Sequence, residues 1–349
     1  MKVLVTGAGG FLGGAVVERL LAHGETQLKL FVRPSLRRPR LEALLQRHPA
    51  ASVEFVFGTL TSEDDCARAV EDVDVVYHLA AGIRGAAADL FLHSVVASKK
   101  LLDAVVASGR RPKIVLVSSL GVYGVNGMRR GARLDEQAPL ESQPRRRDVY
   151  SQAKLRQETL FREYQRAHDF PMVVVRPGVI YGPGTGTLIP PRVGMNLFGL
   201  FVNLGRRNIL PLTYAENCAE AIVVAGSSPG AVGNTYNLVD DELPTCEAYL
   251  ARYRKEVAPL RVLSVPYFAA AAISFLAERY HVRSRGQLPA VFTPYKTRTT
   301  WGGNTFSNER IKSIGWRQLI PTEEAIRTTF QWAAASRAGQ TAPSRTLAP

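Results

Sequence analysis

The sequence is poor in cysteine: its 349 residues include only three, which are widely spaced. Cys66, Cys218 and Cys246 therefore supply neither the paired pattern of a disulfide framework nor the close spacing of a zinc site. Few, unpaired cysteines are typical of proteins in a reducing compartment. We expect a cytoplasmic protein without a metal site.

A long apolar run is also lacking. The longest, residues 262–277, contains Pro266 and is shorter than the ~20 residues that cross a bilayer. The N-terminus opens directly on a strand and a glycine turn, without the charged region and apolar core of a signal peptide. Residues 262–277 are expected to form a core or interfacial helix, and contact with a membrane surface is the less favoured alternative.

Acidic residues are few relative to basic ones, since 30 Asp and Glu stand against 44 Lys and Arg, and the formal net charge is +14. The arginines are scattered through every segment, and no nucleic-acid-binding motif accompanies them. Nucleic acid is therefore not an expected partner. The charge favours phosphorylated ligands or acidic surfaces, and a solvated basic surface explains it equally well.

The most informative stretch is residues 3–14, VLVTGAGGFLGG, in which an apolar strand leads into a glycine turn and a helix. Gly7, Gly10 and Gly13 allow, in turn, a tight turn, close approach of a pyrophosphate and close packing of helix on strand. The first N–H groups of the helix, at Phe11 and Leu12, suit a phosphate. This context favours binding of a dinucleotide.

Strand and helix patterns alternate through the first half of the chain, which predicts right-handed crossovers and a parallel sheet covered on both faces. The fold class is thus α/β, a doubly wound Rossmann sheet with a smaller, mainly helical C-terminal lobe for the substrate. The predicted divisions are a nucleotide-binding domain at 1–180, a partly interleaved lobe at 181–332 and a disordered tail at 333–349. Within the lobe, residues 188–204 are predicted to be helical.

The end of the second strand bears on the choice of cofactor. An acidic residue there would bind the ribose hydroxyls of NAD, whereas this chain has Arg33. A guanidinium can pair with a 2′-phosphate, with support from Arg37 and Arg38, so NADP is favoured over NAD. A surface arginine is the alternative explanation.

Candidate catalytic residues lie on two predicted elements. Strand 113–117 ends at Ser118 and Ser119, at the edge where ligands bind in doubly wound sheets. In the helix predicted at 148–168, Tyr150 and Lys154 are four residues apart and share one face. A nearby ammonium would lower the pKa of the tyrosine toward working pH, and Ser119 would donate a hydrogen bond to the same substrate oxygen. The intervening loop, 121–147, is a candidate substrate-facing flap, and buried His78 is expected to be structural.

Together these segments resemble the extended short-chain dehydrogenase/reductase superfamily, the broad epimerase/dehydratase group. The resemblance rests on TGAGGFLG, HLAA, VSSLGVYG, Tyr150 with Lys154, RPGVIYGPG, YAENCAEAI and SNERIKSIGW, in that order. It implies that Tyr150 is the acid/base, that Lys154 also binds the nicotinamide ribose, and that Ser119 orients the substrate oxygen. The predicted cofactor-binding residues are Gly7, Gly10, Phe11, Leu12, Gly13, Arg33, Thr59, Leu60, Ala80, Ala81, Tyr150, Lys154, Pro177, Gly178 and Val179.

The chain departs from the family pattern at several positions. Thr59 stands where an aspartate often contacts adenine, and Ser94 stands where an asparagine is usual. Nucleotide-sugar members commonly have asparagine at the position of Gly178, near the diphosphate. Leu120 and Gly121 do not supply the acidic residues that a dehydratase would have beside the serine.

Three functions are compatible with these patterns. The favoured one is an NADP(H)-dependent oxidoreductase of an alcohol or ketone, resembling the hydroxysteroid dehydrogenase and dihydroflavonol reductase branch. The second is a nucleotide-sugar epimerase or sugar-ketone reductase, in which Arg192, Arg206 and Arg207 would meet a diphosphate. The third is a non-catalytic, cofactor-sensing protein. The resemblance also implies a homodimer formed through helices 87–108 and 148–168, while the sequence leaves the small-molecule substrate and the reaction direction open.

Overall fold

The fold is built on a seven-stranded sheet, which the computed structural model describes through residues 1–34, 39–284 and 292–341. Its strands, with those of the smaller sheets, are β1 Lys2–Thr6, β2 Gln27–Val32, β3 Ser52–Phe57, β4 Val75–His78, β5 Lys113–Val117, β6 Arg133–Leu134, β7 Met172–Pro177, β8 Val179–Tyr181, β9 Gly194–Leu197, β10 Leu200–Asn203, β11 Leu212–Tyr214, β12 Thr235–Leu238, β13 Val262–Ser264 and β14 Thr305–Phe306.

The helices between the strands are α1 Phe11–Ala22, α2 Pro39–Gln46, α3 Glu63–Val70, α4 Ala87–Phe91, α5 Ala97–Ala107, α6 Val149–His168, α7 Ala215–Ser227, α8 Cys246–Glu256, α9 Tyr267–Arg283, α10 Pro294–Trp301, α11 Glu309–Ser313 and α12 Thr322–Thr341. Local sequence explains several of their starts. Ser62 caps α3 through the N–H of Asp65, and Asp148 caps α6 through the N–H of Ser151, as expected for small polar N-cap residues.

The large sheet has the strand order β12-β7-β5-β4-β1-β2-β3, and all its pairs are parallel. One core cluster packs α1 and α7 on one face, and a second packs α3, α5 and α6 on the other. This confirms the predicted doubly wound sheet. The strand order reverses between β1 and β4, which places the ligand crevice beyond their carboxyl ends.

The C-terminal part of the chain contributes to both bodies of the fold. Strand β12 and helix α7 join the Rossmann sheet, while α8, α12 and the 3-stranded sheet β13-β10-β9 build the lobe around a third core. The lobe is therefore mainly helical, and it carries a small sheet that the sequence did not predict. No helix among the described residues has both the length and the apolar character to span a membrane.

The prediction of a helix at residues 188–204 is wrong. Strands β9 and β10 form an antiparallel hairpin there, and Phe198 and Gly199 take φ angles of 51° and 81° at its tip. These left-handed conformations turn the chain and are incompatible with a continuous helix.

The predicted tail is shorter than expected, because α12 continues to Thr341 through residues assigned to disorder. Residues 342–349 lie outside the described part of the chain.

A π turn interrupts the long helix predicted at 87–108. Residues Leu92–Val96 form the turn between α4 and α5, and the N–H of Ala97 donates to the carbonyl of Leu92, five residues earlier. Such turns insert one residue into a helix and are frequent at functional sites. This one faces helix α6.

Candidate active site

The glycine turn lies between β1 and α1 at the crevice. Gly7 has a φ of +75°, and an added Cβ would lie 3.1 Å from the backbone nitrogen of Ala80. A Cβ on Gly13 would lie 2.1 Å from the carbonyl oxygen of Gly7, so this position has no space for a side chain. At each of these two positions the neighbouring backbone lies too close for a side chain, so glycine is required.

Gly10 marks the start of α1, where it is exposed and carries no side chain that could cap the helix. The first N–H to bond back into the helix is that of Gly14, which donates to Gly10 at 3.1 Å. The N–H groups of Phe11, Leu12 and Gly13 precede that bond and are available to an anion at the helix N-terminus. The geometry therefore fits the pyrophosphate of a dinucleotide.

The residues predicted to bind the adenosine half line the ends of neighbouring strands. Arg33 is exposed directly after β2, while Arg37 and Arg38 lie outside the described residues. After β3, the N–H of Thr59 donates to Asp65 at 2.8 Å, and the side chain of Leu60 is buried in the core. A side chain is thus open to a ligand at Arg33 and Thr59, whereas Leu60 presents only its backbone.

Ala80 and Ala81 follow β4 on the opposite wall of the crevice and are half-buried. The N–H of Ala80 donates to the hydroxyl of Thr6 at 3.4 Å, so this wall is tied to the end of β1.

Pro177, Gly178 and Val179 join β7 to β8. The N–H of Gly178 donates to Leu238, and that of Val179 donates to Pro211 at 2.6 Å. A Cβ on Gly178 would lie 2.2 Å from the carbonyl oxygen of Pro211. This contact explains why an asparagine is absent here, since its side chain would collide with backbone.

Ser118 and Ser119 follow β5, but only Ser119 is open to the crevice. Ser118 is buried, and its hydroxyl donates to Glu158 at 2.7 Å. Arg176 and Arg162 also bind this carboxylate. Burial alone would raise the pKa of Glu158, but hydrogen bonds and charge from Arg176 outweigh it and hold the pKa below its usual range.

Tyr150 lies in the first turn of α6, is half-buried, and has its phenol close to the Ser119 hydroxyl. The structure thus brings together the predicted tyrosine and serine. Burial raises the pKa of Tyr150, the bond with Ser119 opposes that shift, and the charge of Asp148 adds to it. The prediction that Lys154 lowers this pKa is wrong, because burial dominates and Nζ of the lysine is bonded to other groups.

Lys154 is buried beneath the crevice. Its Nζ donates to the carbonyl of Val117 at 2.7 Å and to Oε1 of Gln157 at 2.6 Å. Burial lowers the pKa of Lys154 from 10.5 to about 7, although the charge of Glu158 acts to raise it. The ammonium therefore has a titration range near neutrality.

A buried polar network adjoins this lysine, and sequence reasoning missed most of it. His78 bonds Thr6 through Nδ1 and Ser98 through Nε2, both at 2.9 Å, and Gln157 donates to Ser98 at 2.8 Å. Burial, with the charge of Lys154, lowers the pKa of His78 to about 3, so the ring is neutral. This agrees with the structural role expected of His78. The spacing of Tyr150, Lys154 and Gln157, at i, i+4 and i+7, was the available signal for the glutamine.

The flap predicted at 121–147 is tied to the lobe rather than free. Strand β6 pairs with β14, and Tyr295 donates to Glu141 at 2.5 Å. Arg147 donates to both Glu141 and Ser151, and Ser151 is the residue after Tyr150. The flap therefore connects the start of α6 to helix α10.

Of the three arginines considered for a diphosphate, two are engaged within the protein. Arg192 donates to the carbonyl of Ile209 and stacks over Phe306, and Arg206 pairs with Glu247 at 3.0 Å. Arg207 is exposed. The described structure thus does not gather them into one anion site.

Comparison with known proteins places this geometry among nicotinamide-dependent enzymes. The model of the NAD dependent epimerase/dehydratase family matches residues 3–238. The chain is 26% identical over 350 residues to the mouse sterol-4-alpha-carboxylate 3-dehydrogenase, decarboxylating, covering 95% of this chain and 90% of the relative. It is also 26% identical to the 2-alkyl-3-oxoalkanoate reductase of Shewanella oneidensis, covering 93% and 84% of the two chains.

A solved structure supports the fold. The UDP-glucose 4-epimerase of Thermus thermophilus, in complex with NAD, superposes with a TM-score of 0.67 at 21% sequence identity. The match covers 96% of this chain and 100% of the epimerase.

Proposed function

The chain belongs to the NAD-dependent epimerase/dehydratase family, and on that premise we propose that it oxidises an alcohol or reduces a ketone with Tyr150 as the acid/base. It is an NAD(P)-dependent enzyme of the extended short-chain dehydrogenase/reductase type. One observation carries the proposal: Ser119 and Tyr150 meet at the carboxyl end of β5, in the same crevice as the glycine turn. Relatives named as a dehydrogenase and a reductase support this choice.

The roles of the residues follow from their positions. When bound, the nicotinamide supplies or accepts the hydride. Tyr150 exchanges a proton with the substrate oxygen, and Ser119 donates a hydrogen bond to that oxygen and orients the carbon. Lys154, as an ammonium, would hold the cofactor ribose by donating to its hydroxyls. The glycine turn receives the pyrophosphate on the backbone of α1.

NADP is the proposed cofactor, with NAD as the alternative. Exposed Arg33 follows β2 where the adenosine ribose is expected, and it can pair with a 2′-phosphate. Titration of the protein with NADPH and NADH tests this, with Arg33→Ser as the variant. We expect NADPH to bind more tightly to the wild type and the difference to shrink in the variant. A clear preference of the wild type for NADH would retract the assignment.

A nucleotide-sugar epimerase or sugar-ketone reductase is the second candidate, since relatives of that kind share the fold. Two observations weigh against it: Gly178 has no space for an asparagine, and Arg192 and Arg206 bond within the protein. The candidates differ in redox stoichiometry. Conversion of a UDP-sugar to its epimer without net change in nicotinamide absorbance would favour the epimerase.

A non-catalytic, cofactor-sensing role is the third candidate. It requires that the biological function survive loss of the acid/base, so a Tyr150→Phe variant that keeps its function in the cell would favour it. Tyr150 lies at the crevice with Lys154 buried beneath it, which supports catalysis instead.

We further propose a homodimer in the cytoplasm. Leu92 and Val96 expose 40% and 42% of their surface on the long helix expected to form the interface. Analytical ultracentrifugation of the wild type and of Leu92→Ser tests the dimer. A wild type that sediments as a monomer at all concentrations would contradict it.

A further inference from the structure

Gln157 lies one helical turn beyond Lys154, on the buried face of α6, and is 1% exposed. Its Oε1 accepts from Nζ of Lys154 at 2.6 Å, and its Nε2 donates to Oγ of Ser98 at 2.8 Å. The amide can have only this orientation, because an ammonium donates and never accepts. Gln157 thus joins the lysine to helix α5.

The lysine has few remaining hydrogen-bonding options. An ammonium carries three N–H groups. Val117 and Gln157 accept two of them. Among the described residues no acceptor is bonded to the third, which is therefore available to a ligand.

The far end of Gln157 is held by the residues around the π turn. Ser98 donates to the carbonyl of Ser94 at 2.5 Å, and Nε2 of Gln157 lies 3.3 Å from that same carbonyl. Because the Ser98 proton is committed to Ser94, the Ser98 oxygen accepts from both Gln157 and Nε2 of His78. His78 in turn accepts from Thr6.

The direction of these bonds decides what the network can do. Apart from the third N–H of Lys154, every donor described above has an acceptor, and the glutamine amide is neutral and neither gains nor loses a proton at ordinary pH. The network therefore holds groups in place and does not conduct protons. It ends at Thr6, which also accepts from Ala80 on the crevice wall, so the lysine is fixed relative to the glycine turn.

We propose that Gln157 is the positioning residue of Lys154, aiming its one free N–H at the vicinal hydroxyls of the nicotinamide ribose. This inference rests on the proposed function.

A double-mutant cycle on cofactor binding tests the proposal. NADPH would be titrated into the wild type, Gln157→Leu, Lys154→Met and the double variant, with Gln165→Leu as the control for the same change further along α6. We expect Gln157→Leu to weaken binding about tenfold, as for loss of a bond to a charged group. We expect no further loss when it is added to Lys154→Met.

Gln157→Glu supplies a readout that a merely structural role would not move. A carboxylate at this position would favour the ammonium form of Lys154, so the pH above which NADPH binding weakens should rise relative to the wild type. The variant retains the acceptor, and its affinity should stay closer to that of the wild type than that of Gln157→Leu.

Additive losses in the cycle, or equal effects of Gln157→Leu and Gln165→Leu, would overturn the proposal. So would an unchanged pH dependence in Gln157→Glu. If the wild type binds neither NADPH nor NADH, the proposed function fails and this role fails with it. The same cycle measured by urea unfolding then shows whether the contact itself exists, which separates the two failures.

Discussion

Ser118 and Ser119 are adjacent in the chain, yet their hydroxyl groups lie in different environments. The hydroxyl of Ser118 donates to the buried carboxylate of Glu158, and that of Ser119 lies close to the phenol of Tyr150 in the crevice. Strand geometry explains this, since successive side chains point to opposite faces. One serine therefore belongs to the core and the other to the site.

Substitution of the two serines should separate stability from activity. We expect Ser119→Ala to lower kcat/KM about 100-fold, because a hydrogen bond to the reacting oxygen is lost, with only a small loss of unfolding free energy, since the same hydroxyl accepts from the N–H of Gly121 at 3.1 Å. Ser118→Ala should instead cost about 1–2 kcal/mol of stability, because a buried acceptor loses a donor. Steady-state kinetics and urea unfolding of both variants check this. Equal effects of the two variants on kcat/KM would contradict the assignment.

Tyr150→Phe should reduce turnover by at least about 100-fold, because the acid/base is removed. The sign of the pH dependence follows from the raised pKa of Tyr150. The phenol persists through neutral pH, so reduction at saturating NADPH should be insensitive to pH there, whereas oxidation needs the phenolate and should speed up as pH rises. Initial rates in both directions across pH measure this. An oxidation rate that falls with rising pH would contradict the role.

The glycine turn offers a matched pair of substitutions. A Cβ at Gly13 would lie 2.1 Å from the carbonyl oxygen of Gly7, whereas nothing lies within 4 Å of a Cβ at Gly14. Gly13→Ala should therefore destabilise the fold and abolish NADPH binding. Gly14→Ala should stabilise α1 by about 0.5–1 kcal/mol and keep binding. Thermal unfolding and NADPH titration compare the two variants. Tight binding of NADPH by Gly13→Ala would contradict the assignment of the glycine turn to the pyrophosphate.

His78 should make the protein sensitive to acid. Its pKa is lowered from 6.5 to about 3 by burial, so between these values the unfolded chain binds a proton that the folded chain does not. The neutral ring therefore makes its whole contribution to the free energy of unfolding above pH 6.5. This contribution falls by up to about 1.4 kcal/mol per pH unit as the pH drops toward 3.

In His78→Gln this part of the acid dependence should disappear, whereas the exposed His93→Gln serves as the control. Urea unfolding across pH measures the slopes. Identical slopes in the wild type and His78→Gln would show that the ring does not titrate as described.

Local sequence patterns were sufficient to predict the strands and helices of the Rossmann half. The strand Lys113–Val117 and the helix that includes Tyr150 and Lys154 were predicted closely, because each has a simple apolar period and a clear cap. The hairpin of β9 and β10 was missed because an apolar run has the composition of a helix. Its turn depends on left-handed backbone at Phe198, a residue that seldom adopts it.

The contacts of Lys154 were beyond sequence reasoning for a different reason. Its partners Val117 and Gln157 lie on two elements whose separation is set by packing, and Ser98 comes from a third. Residue types indicate that a lysine can tune a tyrosine, but only coordinates show which acceptors occupy its protons. The pKa of Tyr150 was predicted in the wrong direction for this reason.

The π turn at Leu92–Val96 also sets a limit on how the chain length here can change. Deleting one residue from it would restore a regular helix and rotate everything before it by about 100° relative to α5. The hydroxyl of Ser94 would then lose the hydrogen bond that it accepts from the N–H of Gly82 at 3.0 Å. The segment that follows β4 would no longer contact the glycine turn. The extra residue thus keeps two walls of the crevice in register. Deleting it should abolish cofactor binding before it unfolds the protein.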